Sequence, residues 1–324
     1  MSVLIYTENW DGRFKKLSFE LVSYAKEIAK KLNTNLVALS IGNVEESELK
    51  KLSIYGANKI VTINNTKLNA LDNQVFTSLI AEVISKENSN VIVFAHNNSG
   101  KAIAPRLSVK LKAGLVTAVV TSPLSTDPFI VHKKVFTSKA FAKVLIKSPV
   151  KILTLMQNAF GVCESNEEFS HEQFVPVFNT DQIKTEVIDV KKLSGKILLS
   201  DADIVISGGR GMKGPENWGP IEELATLLGA GTACSRPVSD EHWRTHEEHV
   251  GQTGKVISPT LYIACGISGA IQHLGGISSS KCIVAINKDP DAPIFEAADY
   301  GIVGDVLKVL PEMIEAVKEL KAMN

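Results

Sequence analysis

Two glycine-rich segments in the second half of the chain carry residues that could hold a nucleotide phosphate. The first, Gly209-Arg210-Gly211-Met212-Lys213-Gly214, matches GxGxxG and follows a run that predicts a strand. Glycines at such a turn let main-chain N–H groups approach a pyrophosphate where a helix begins. An NAD site expects an acidic residue about 20 positions further on, whereas the next predicted strand ends in Ser235-Arg236. NAD is therefore disfavoured, while NADP bound through Arg236 and a purely structural turn both stay open.

The second segment, Gly266–His273, places small residues between a predicted strand and a predicted helix. Such a corner exposes free main-chain N–H groups to an anion. Ser268 could add a hydroxyl group, and His273 lies about one turn further along. The alternative is a packed turn that leaves His273 on the helix surface.

A third polar segment, Val250-Gly251-Gln252-Thr253-Gly254-Lys255, precedes a predicted strand. Ligands in open α/β sheets bind beyond the carboxyl ends of strands, so this position favours a plain connector. The histidines just before it, His242, His246 and His249, lack the HExxH pattern of a zinc protease because Trp243 stands at the Glu position. We interpret them as part of a solvated polar loop rather than as a metal site.

Other catalytic patterns are incomplete or absent. Ser99-Gly100-Lys101 resembles the end of a Walker A loop, but Ala95 replaces its first glycine and Ala102 its Ser or Thr. The chain has no Gly-x-Ser-x-Gly elbow and no Cys/His pairing of the nucleophilic type. The sequence therefore predicts a protein that holds a cofactor without an evident acid, base or nucleophile.

The composition is that of a neutral globular protein of about two domains. The 324 residues include 35 Lys+Arg and 35 Asp+Glu, so nothing indicates a nucleic acid or an anionic membrane as partner. No apolar run approaches the roughly 20 residues of a membrane-spanning helix, and no targeting segment is recognisable at the N-terminus. Cys163, Cys234, Cys265 and Cys282 lack CxxC spacing. Buried free thiols in a reducing compartment are the better interpretation, which predicts a cytoplasmic protein.

Strands and helices alternate in both halves and must position these segments. In the first half, strands are expected at 3–6, 36–41, 59–63, 90–95, 129–134, 144–147 and 153–158, with helices near 19–32 and 74–85. In the second half, strands are expected at 203–207, 232–235, 260–264, 282–286 and 301–303, with helices at 221–228 and 311–322. The alternation predicts an α/β fold of two domains, 1–190 and 195–324, each a mostly parallel sheet with flanking helices.

Several segments of the second half belong together in a fixed order. They are Ile206–Gly211, Cys234–Pro237, Val250–Lys255, Leu261–His273, Ile283–Pro290 and Tyr300–Asp305. In this order they resemble the FAD domain of electron transfer flavoprotein α (large) subunits, most closely in Leu261–His273. The first half is more loosely similar to that family, through Ala104–Leu107 and Gly114–Thr117. The resemblance implies a doubly wound FAD-binding fold at 195–324 and a nucleotide-hydrolase-like domain at 1–190 that contacts a partner.

The resemblance also implies a role for each matched position. Arg236 and Thr253 would lie beside the isoalloxazine, with the Thr253 hydroxyl near N5, and His273 would face the C2 carbonyl. The turn 268–273 would cover the pyrophosphate and the ribityl chain, while Asn287 and Asp305 would hold the adenosine end. The positions that match the family's cofactor contacts are Arg210, Ser235, Arg236, Val250, Gly251, Gln252, Thr253, Ser268, Gly269, Ala270, Ile271, Gln272, His273, Asn287, Asp305 and Val306.

By this resemblance the chain is an electron carrier without substrate turnover of its own. It would form a heterodimer with an electron transfer flavoprotein β subunit, take electrons from dehydrogenases and deliver them to another redox acceptor. Two alternatives stay open on the residues alone: an NADP-dependent oxidoreductase, and a regulator that binds a nucleotide through residues 1–190. The charged, His-rich stretch 241–249 departs from the family's usual sequence and could alter the redox properties of the flavin.

Overall fold

The computed structural model describes residues 1–65, 68, 71–136, 140–176, 185, 187–189 and 197–323. The chain forms two compact units, Met1–Lys191 and Lys192–Asn324. Within the described residues, no helix combines the length and the apolar sequence that crossing a membrane requires.

A large, mostly parallel sheet organises the first unit. The strands of this unit are β1 (Ser2–Tyr6), β2 (Asn9–Trp10), β3 (Arg13–Phe14), β4 (Asn35–Ile41), β5 (Lys59–Ile63), β6 (Ser89–Ala95), β7 (Gly114–Val119), β8 (Ser125–Thr126), β9 (Phe129–Val135), β10 (Ala140–Leu145), β11 (Lys151–Leu155) and β12 (Ser170–Gln173). The order across the sheet is β10-β9-β7-β11-β6-β1-β4-β5-β12. From β7 to β12 neighbouring strands run parallel, whereas β9 is antiparallel to β7 and to β10.

Helices cover both faces of this sheet. They are α1 (Lys16–Lys31), α2 (Glu46–Ile54), α3 (Asn73–Lys86) and α4 (Asn98–Leu111). Val3 and Ile5 of β1 pack against α1 and α2, while Leu4 between them packs against α3 and α4 on the other face. All three side chains are 0% exposed. Burial on both faces explains why the central strands read as unbroken apolar runs.

The second unit is built on a sheet whose neighbouring strands are all parallel. Its strands are β13 (Ile204–Gly208), β14 (Gly231–Cys234), β15 (Leu261–Cys265), β16 (Cys282–Asn287) and β17 (Tyr300–Val303). Its helices are α5 (Gly219–Leu228), α6 (Arg236–Asp240), α7 (Ile271–Ile277), α8 (Ile294–Ala297) and α9 (Val306–Met323). The strand order is β14-β13-β15-β16-β17. Ile206 packs with α5 and α9, whereas its neighbour Val205 packs with α7 and α8 on the opposite face. The predicted α/β fold of mostly parallel sheets with flanking helices is confirmed.

Two predicted features of the elements are wrong. Several observed elements, among them α2, α4 and β7, have no predicted counterpart; α4 holds Gly100 near its start and Pro105 inside, residues that argue against a helix. The last helix was expected at 311–322 with acidic residues in its first turn. It begins at Val306 and has no acidic residue there. Its start is set by Asp305, whose Oδ1 accepts a hydrogen bond from Leu307 N at 3.1 Å.

A buried carboxylate ties α1 to the turn that follows β11. Glu20 is 1% exposed although it stands on the apolar face of α1. Its Oε2 accepts a hydrogen bond from Asn158 N at 2.9 Å. Its Oε1 accepts from Phe160 N at 2.8 Å and from Gly161 N at 3.0 Å. Charge-assisted hydrogen bonds of this kind compensate the burial of an ionised group.

We predict that Glu20→Gln lowers the free energy of unfolding by about 1–3 kcal/mol. The amide accepts at one oxygen only, and its NH2 group would face main-chain N–H donors. Urea denaturation of the full chain measures the change. Glu27→Gln on the same helix is the control, because the side chain of Glu27 is 39% exposed and its pair with Lys31 is 3.6 Å long; we expect it to stay within about 0.5 kcal/mol of wild type. Equal losses in the two variants would contradict the role given to Glu20.

Candidate functional site

The carboxyl ends of the parallel strands meet at one edge of the second unit's sheet. The chain starts this sheet at β13, moves outward to β14 and returns to β15 on the other side of β13. The connections that leave β13 and β15 therefore diverge. Such a switch point is where open α/β sheets bind ligands.

At the switch point the loops after β13 and β15 touch through their main chains. Gly209 N donates a hydrogen bond to Cys265 O at 2.9 Å. Gly211 N donates to Gly266 O at 3.0 Å. A Cβ atom at Gly211 would lie 2.6 Å from the Cα of Gly266, and one at Gly209 would lie 2.3 Å from the Gly266 carbonyl oxygen. Only glycine at these positions lets the two loops come this close.

The GxGxxG segment does not begin an α-helix, so the expectation that a helix starts at this motif is wrong. Its residues enter short 3₁₀ turns, Arg210–Met212 and Pro215–Trp218, and α5 follows only at Gly219. Lys213 takes a left-handed conformation, with φ of 69°, and redirects the chain between the turns. The glycines serve loop packing, which was the alternative interpretation. Arg210 and Lys213 nevertheless bring two exposed cationic side chains to this edge.

The predicted strand-to-helix corner after β15 is confirmed. β15 ends at Cys265 and α7 begins at Ile271, with Ala270 before it and no side-chain cap. Among the described residues, none accepts a hydrogen bond from the main-chain N–H groups of residues 268–272. Gly269 has φ of +88°, and a Cβ atom there would lie 2.2 Å from Ile294 N. The corner thus presents a row of free donors on a backbone that requires glycine.

The segment 250–255 is not a plain connector at the beginning of β15. Val250 N donates a hydrogen bond to Cys234 O at 3.0 Å, which places the segment directly beyond the carboxyl end of β14. Gln252 N donates to Gln272 O at 2.7 Å, so the segment also touches α7. The side chains of Gln252 and Thr253 are exposed, while Val250 and Gly251 are buried. The prediction of a plain connector is wrong because these contacts join residues that lie far apart in the sequence.

His273 is buried rather than on the helix surface. It is 6% exposed, and its Nε2 lies 2.8 Å from the hydroxyl of Tyr262, a fully buried residue of β15. Its Nδ1 is buried and has no hydrogen-bond partner among the described residues. Burial lowers the pKa of His273 to about 4, opposed by the main chain of Val250 and reinforced by His249. The imidazole is therefore neutral near pH 7 in the protein alone.

Ser235 and Arg236 stand where β14 ends and α6 begins. Ser235 is buried, and its main-chain N donates to Gly208 O at 3.0 Å. The side chain of Arg236 is 63% exposed, with its Nε 3.3 Å from Oδ2 of Asp240. The guanidinium is thus free to contact a ligand at the edge, with a carboxylate partly neutralising its charge.

The ends of β16 and β17 complete the edge. Asn287 Nδ2 donates to Ile267 O at 2.9 Å, which joins β16 to the corner after β15. Oδ2 of Asp305 lies 3.0 Å from Nζ of Lys213, so this ion pair spans from β17 to the loop after β13. The hydrogen bond from Lys213 is the main cause that lowers the pKa of Asp305. Val306, the next residue, is buried in the core. The sixteen predicted positions, by number 210, 235, 236, 250–253, 268–273, 287, 305 and 306, all lie at or next to this edge.

The predictions for the histidine-rich stretch and for the four cysteines have different outcomes. His246 and His249 lie with ring centroids 5.3 Å apart. Within the described residues, no three His, Cys, Asp or Glu side chains gather as metal ligands do.

All four cysteines are free thiols, but Cys163 is exposed and Cys282 is half-buried, so the prediction of buried thiols holds only for Cys234 and Cys265. Burial raises the pKa of these last two to about 12.

A parallel sheet with free N–H donors and cationic side chains at its switch point defines a nucleotide-binding α/β protein. The comparisons with known proteins are more specific. Residues 198–278 match the family model described as the electron transfer flavoprotein FAD-binding domain. Residues 3–182 match the electron transfer flavoprotein domain. Together the two matches cover most of the chain.

Curated relatives align over nearly their whole length. The electron transfer flavoprotein subunit alpha of Bacillus subtilis is 36% identical over 320 residues, 98% of this chain and 98% of the relative. The corresponding subunit of Syntrophomonas wolfei is 36% identical, over 97% and 98% of the two chains. A protein of Anaerotignum propionicum named acryloyl-CoA reductase electron transfer subunit beta is 31% identical, over 98% and 96%. The chain belongs to the electron transfer flavoprotein α-subunit family. As an α subunit it has a β subunit as its partner.

The cofactor of this family domain is FAD, and the residues at the edge fit it. The free N–H groups of 268–272 suit a pyrophosphate, and Gly269, with its positive φ, lets the corner that presents them pack against the main chain of Ile294. Arg210 and Lys213 supply positive charge. The match is to an FAD-binding domain, so the alternative of an NADP-dependent oxidoreductase loses its basis.

Sequence reasoning missed three residues that support this edge. Tyr262 contacts His273, Lys213 contacts Asp305, and Asp240 contacts Arg236. Asp240 could have been found, because an Arg and an Asp four residues apart share one face of a helix. Tyr262 and Lys213 could not, since each meets its partner through the tertiary fold.

We predict that burial of neutral His273 makes stability depend on pH. A histidine whose pKa is lowered by folding contributes nothing above its unfolded pKa of about 6.5, and stability is lost as the pH falls below that value. We expect this side chain to account for up to about 3 kcal/mol of the loss between about pH 6.5 and pH 4. Urea denaturation of the full chain across this range measures it. His273→Gln should flatten the profile, whereas His242→Gln, which changes an exposed imidazole, should keep the wild-type profile. Identical profiles for all three proteins would disprove the prediction.

Proposed function

We propose that the domain 195–324 holds FAD at the carboxyl edge of its sheet and that the flavin is the electron-carrying group of the protein. The observation that carries this proposal is the row of free N–H donors at 268–272, held beside the main-chain contact at the switch point. Such donors at the start of a helix suit the pyrophosphate of a dinucleotide. Arg210 and Lys213 add positive charge nearby.

The other matched positions would hold the two ends of the cofactor. Asn287 and Asp305 would bind the adenosine end, where Lys213 already fixes the orientation of Asp305. At the other end, Thr253 and Arg236 would contact the isoalloxazine from exposed positions. FAD supplies one-electron and two-electron transfer, while the protein sets its position and potential. His273, neutral and held by Tyr262, would offer a hydrogen bond without a charge.

We further propose that the domain 1–190 contacts the β subunit of the heterodimer. The complex would accept electrons from dehydrogenases and deliver them to a separate redox acceptor, with no substrate turnover of its own. The relative from Anaerotignum propionicum is named as an electron transfer subunit of a reductase, which supports service to a partner enzyme. The absence of an evident acid, base or nucleophile in the sequence points the same way. A cytoplasmic location stays a prediction that the free cysteines support.

The first test is the flavin content of the complex. Co-expression with the β subunit should give one FAD per α chain, with absorbance at roughly 450 nm. Gly269→Ala should weaken FAD binding about tenfold or more, because it strains a backbone at φ +88° and places a Cβ atom 2.2 Å from Ile294 N. Gly219→Ala is the matched control, since a Cβ atom there meets nothing within 4 Å. Full flavin content in the Gly269→Ala complex would count against the site, and a flavin-free wild-type complex would refute the proposal.

A second test addresses Arg236. Its guanidinium is exposed and paired with Asp240, so its effect on the flavin should be that of a screened surface charge. We expect Arg236→Ala to lower the potential for the first electron by roughly 10–40 mV, the equivalent of about 0.2–1 kcal/mol. Asp240→Asn should raise the same potential, because it removes the neutralising carboxylate. Potentiometric titration of the complexes measures both, and shifts of the same sign would rule out a charge effect.

A further inference from the structure

One histidine of the His-rich stretch lies directly beneath the turn that carries Gln252 and Thr253. His249 is 3% exposed. Its carbonyl oxygen accepts a hydrogen bond from Lys255 N at 2.9 Å, and the turn above it is closed by the bond from Gly254 N to Gly251 O at 3.1 Å. The main chain thus leaves the histidine, forms the turn and returns to the same residue.

The imidazole of His249 fills the space inside this turn. A Cβ atom on Gly254 would lie 2.8 Å from its Nδ1, and one on Gly251 would lie 3.4 Å from its Nε2. The two glycines that bracket Gln252 and Thr253 therefore rest on the ring. Removing the ring would leave the turn without support on that side.

The surroundings of the ring favour its neutral form. Nδ1 of His249 is buried and has no hydrogen-bond partner among the described residues. Burial lowers the pKa of His249, with His246 and Arg236 adding to the effect and Asp240 opposing it. His273 of α7 is close enough to interact electrostatically with the ring. The neighbouring carboxylate of Glu248 is held by Arg244 through bonds of 2.7 and 3.0 Å.

We propose that His249 is a positioning residue whose neutral imidazole holds the Gly251–Gly254 turn in place and thereby fixes Gln252 and Thr253 at the flavin. The assignment rests on the proposed FAD site. A proton on Nδ1 has no described acceptor, and His246 and Arg236 add positive charge that Asp240 offsets only in part, so we expect protonation to displace the ring toward solvent. The turn then loses its support and FAD is held less tightly in mild acid.

The test compares His249→Gln, His249→Ala and the control His242→Gln, each in the complex with the β subunit. The rate of FAD release, followed by flavin fluorescence, is measured at about pH 7.5 and about pH 5.5, on either side of the ordinary histidine pKa. We expect wild type and His242→Gln to release FAD about tenfold faster at the lower pH. His249→Gln, which fills the space without a titrating group, should match wild type at the higher pH and lose the acceleration. His249→Ala should release FAD about tenfold faster than wild type already at the higher pH.

Either of two FAD-release results would overturn the proposal: a His249→Gln complex that keeps the wild-type acceleration, or a His249→Ala complex that holds FAD as wild type does at the higher pH. Hydrogen exchange of the peptide that contains Gly254 and Lys255 gives a readout that does not need FAD. His249→Ala should speed exchange of these two amides in the flavin-free protein, while His242→Gln should not. A wild-type complex without FAD would therefore refute the proposed function, while unchanged exchange would refute the role of His249.

Discussion

The candidate site depends on two stretches of main chain that pass at hydrogen-bond distance. Gly209 and Gly211 after β13 donate hydrogen bonds to the carbonyl oxygens of Cys265, the last residue of β15, and Gly266. This contact sets where the corner after β15 begins, and the corner in turn sets where the free N–H groups of 268–272 point. A side chain at either loop would separate the loops and move that row. Gly208, one residue earlier, must also lack a side chain, because a Cβ atom there would lie 2.3 Å from the ring of Trp218.

The carboxyl ends of β1 and β6 form a comparable edge in the first unit. There the carboxylate of Glu8 lies beside the start of α4. Glu8 follows β1 and accepts hydrogen bonds from Asn97 Nδ2 at 2.6 Å and from Ser99 Oγ at 2.7 Å. Asn97 in turn caps α4 by accepting from Gly100 N at 2.9 Å. Both oxygens of Glu8 and the Gly100 N–H group at the start of α4 are thus satisfied by side chains of the protein itself. The Walker-like residues are therefore part of an internal network, and this arrangement argues against a nucleotide regulator built on residues 1–190.

The parts of the molecule that follow from local sequence were predictable, and those that need tertiary contacts were not. Buried parallel strands such as β5 read directly as apolar runs, and the corner after β15 follows from small residues between a strand and a helix. GxGxxG is ambiguous in principle, because glycines that admit a phosphate also admit another loop. The position of 250–255 depends on bonds to residues 234 and 272, and the burial of His273 depends on Tyr262. No local sequence pattern indicates that these residues contact one another.

The exposed thiol of Cys163 makes the turn after β11 experimentally accessible. Cys163 N donates to Ser23 Oγ at 3.0 Å, and that hydroxyl donates back to Cys163 O at 3.1 Å, so the residue is anchored to α1 beside the buried Glu20. The thiols of Cys234 and Cys265 are buried and hard to ionise. A maleimide dye or spin label would therefore react at Cys163 well before it reached those two positions. A label there would report directly on whether the main chain around Glu20 opens when the subunits assemble.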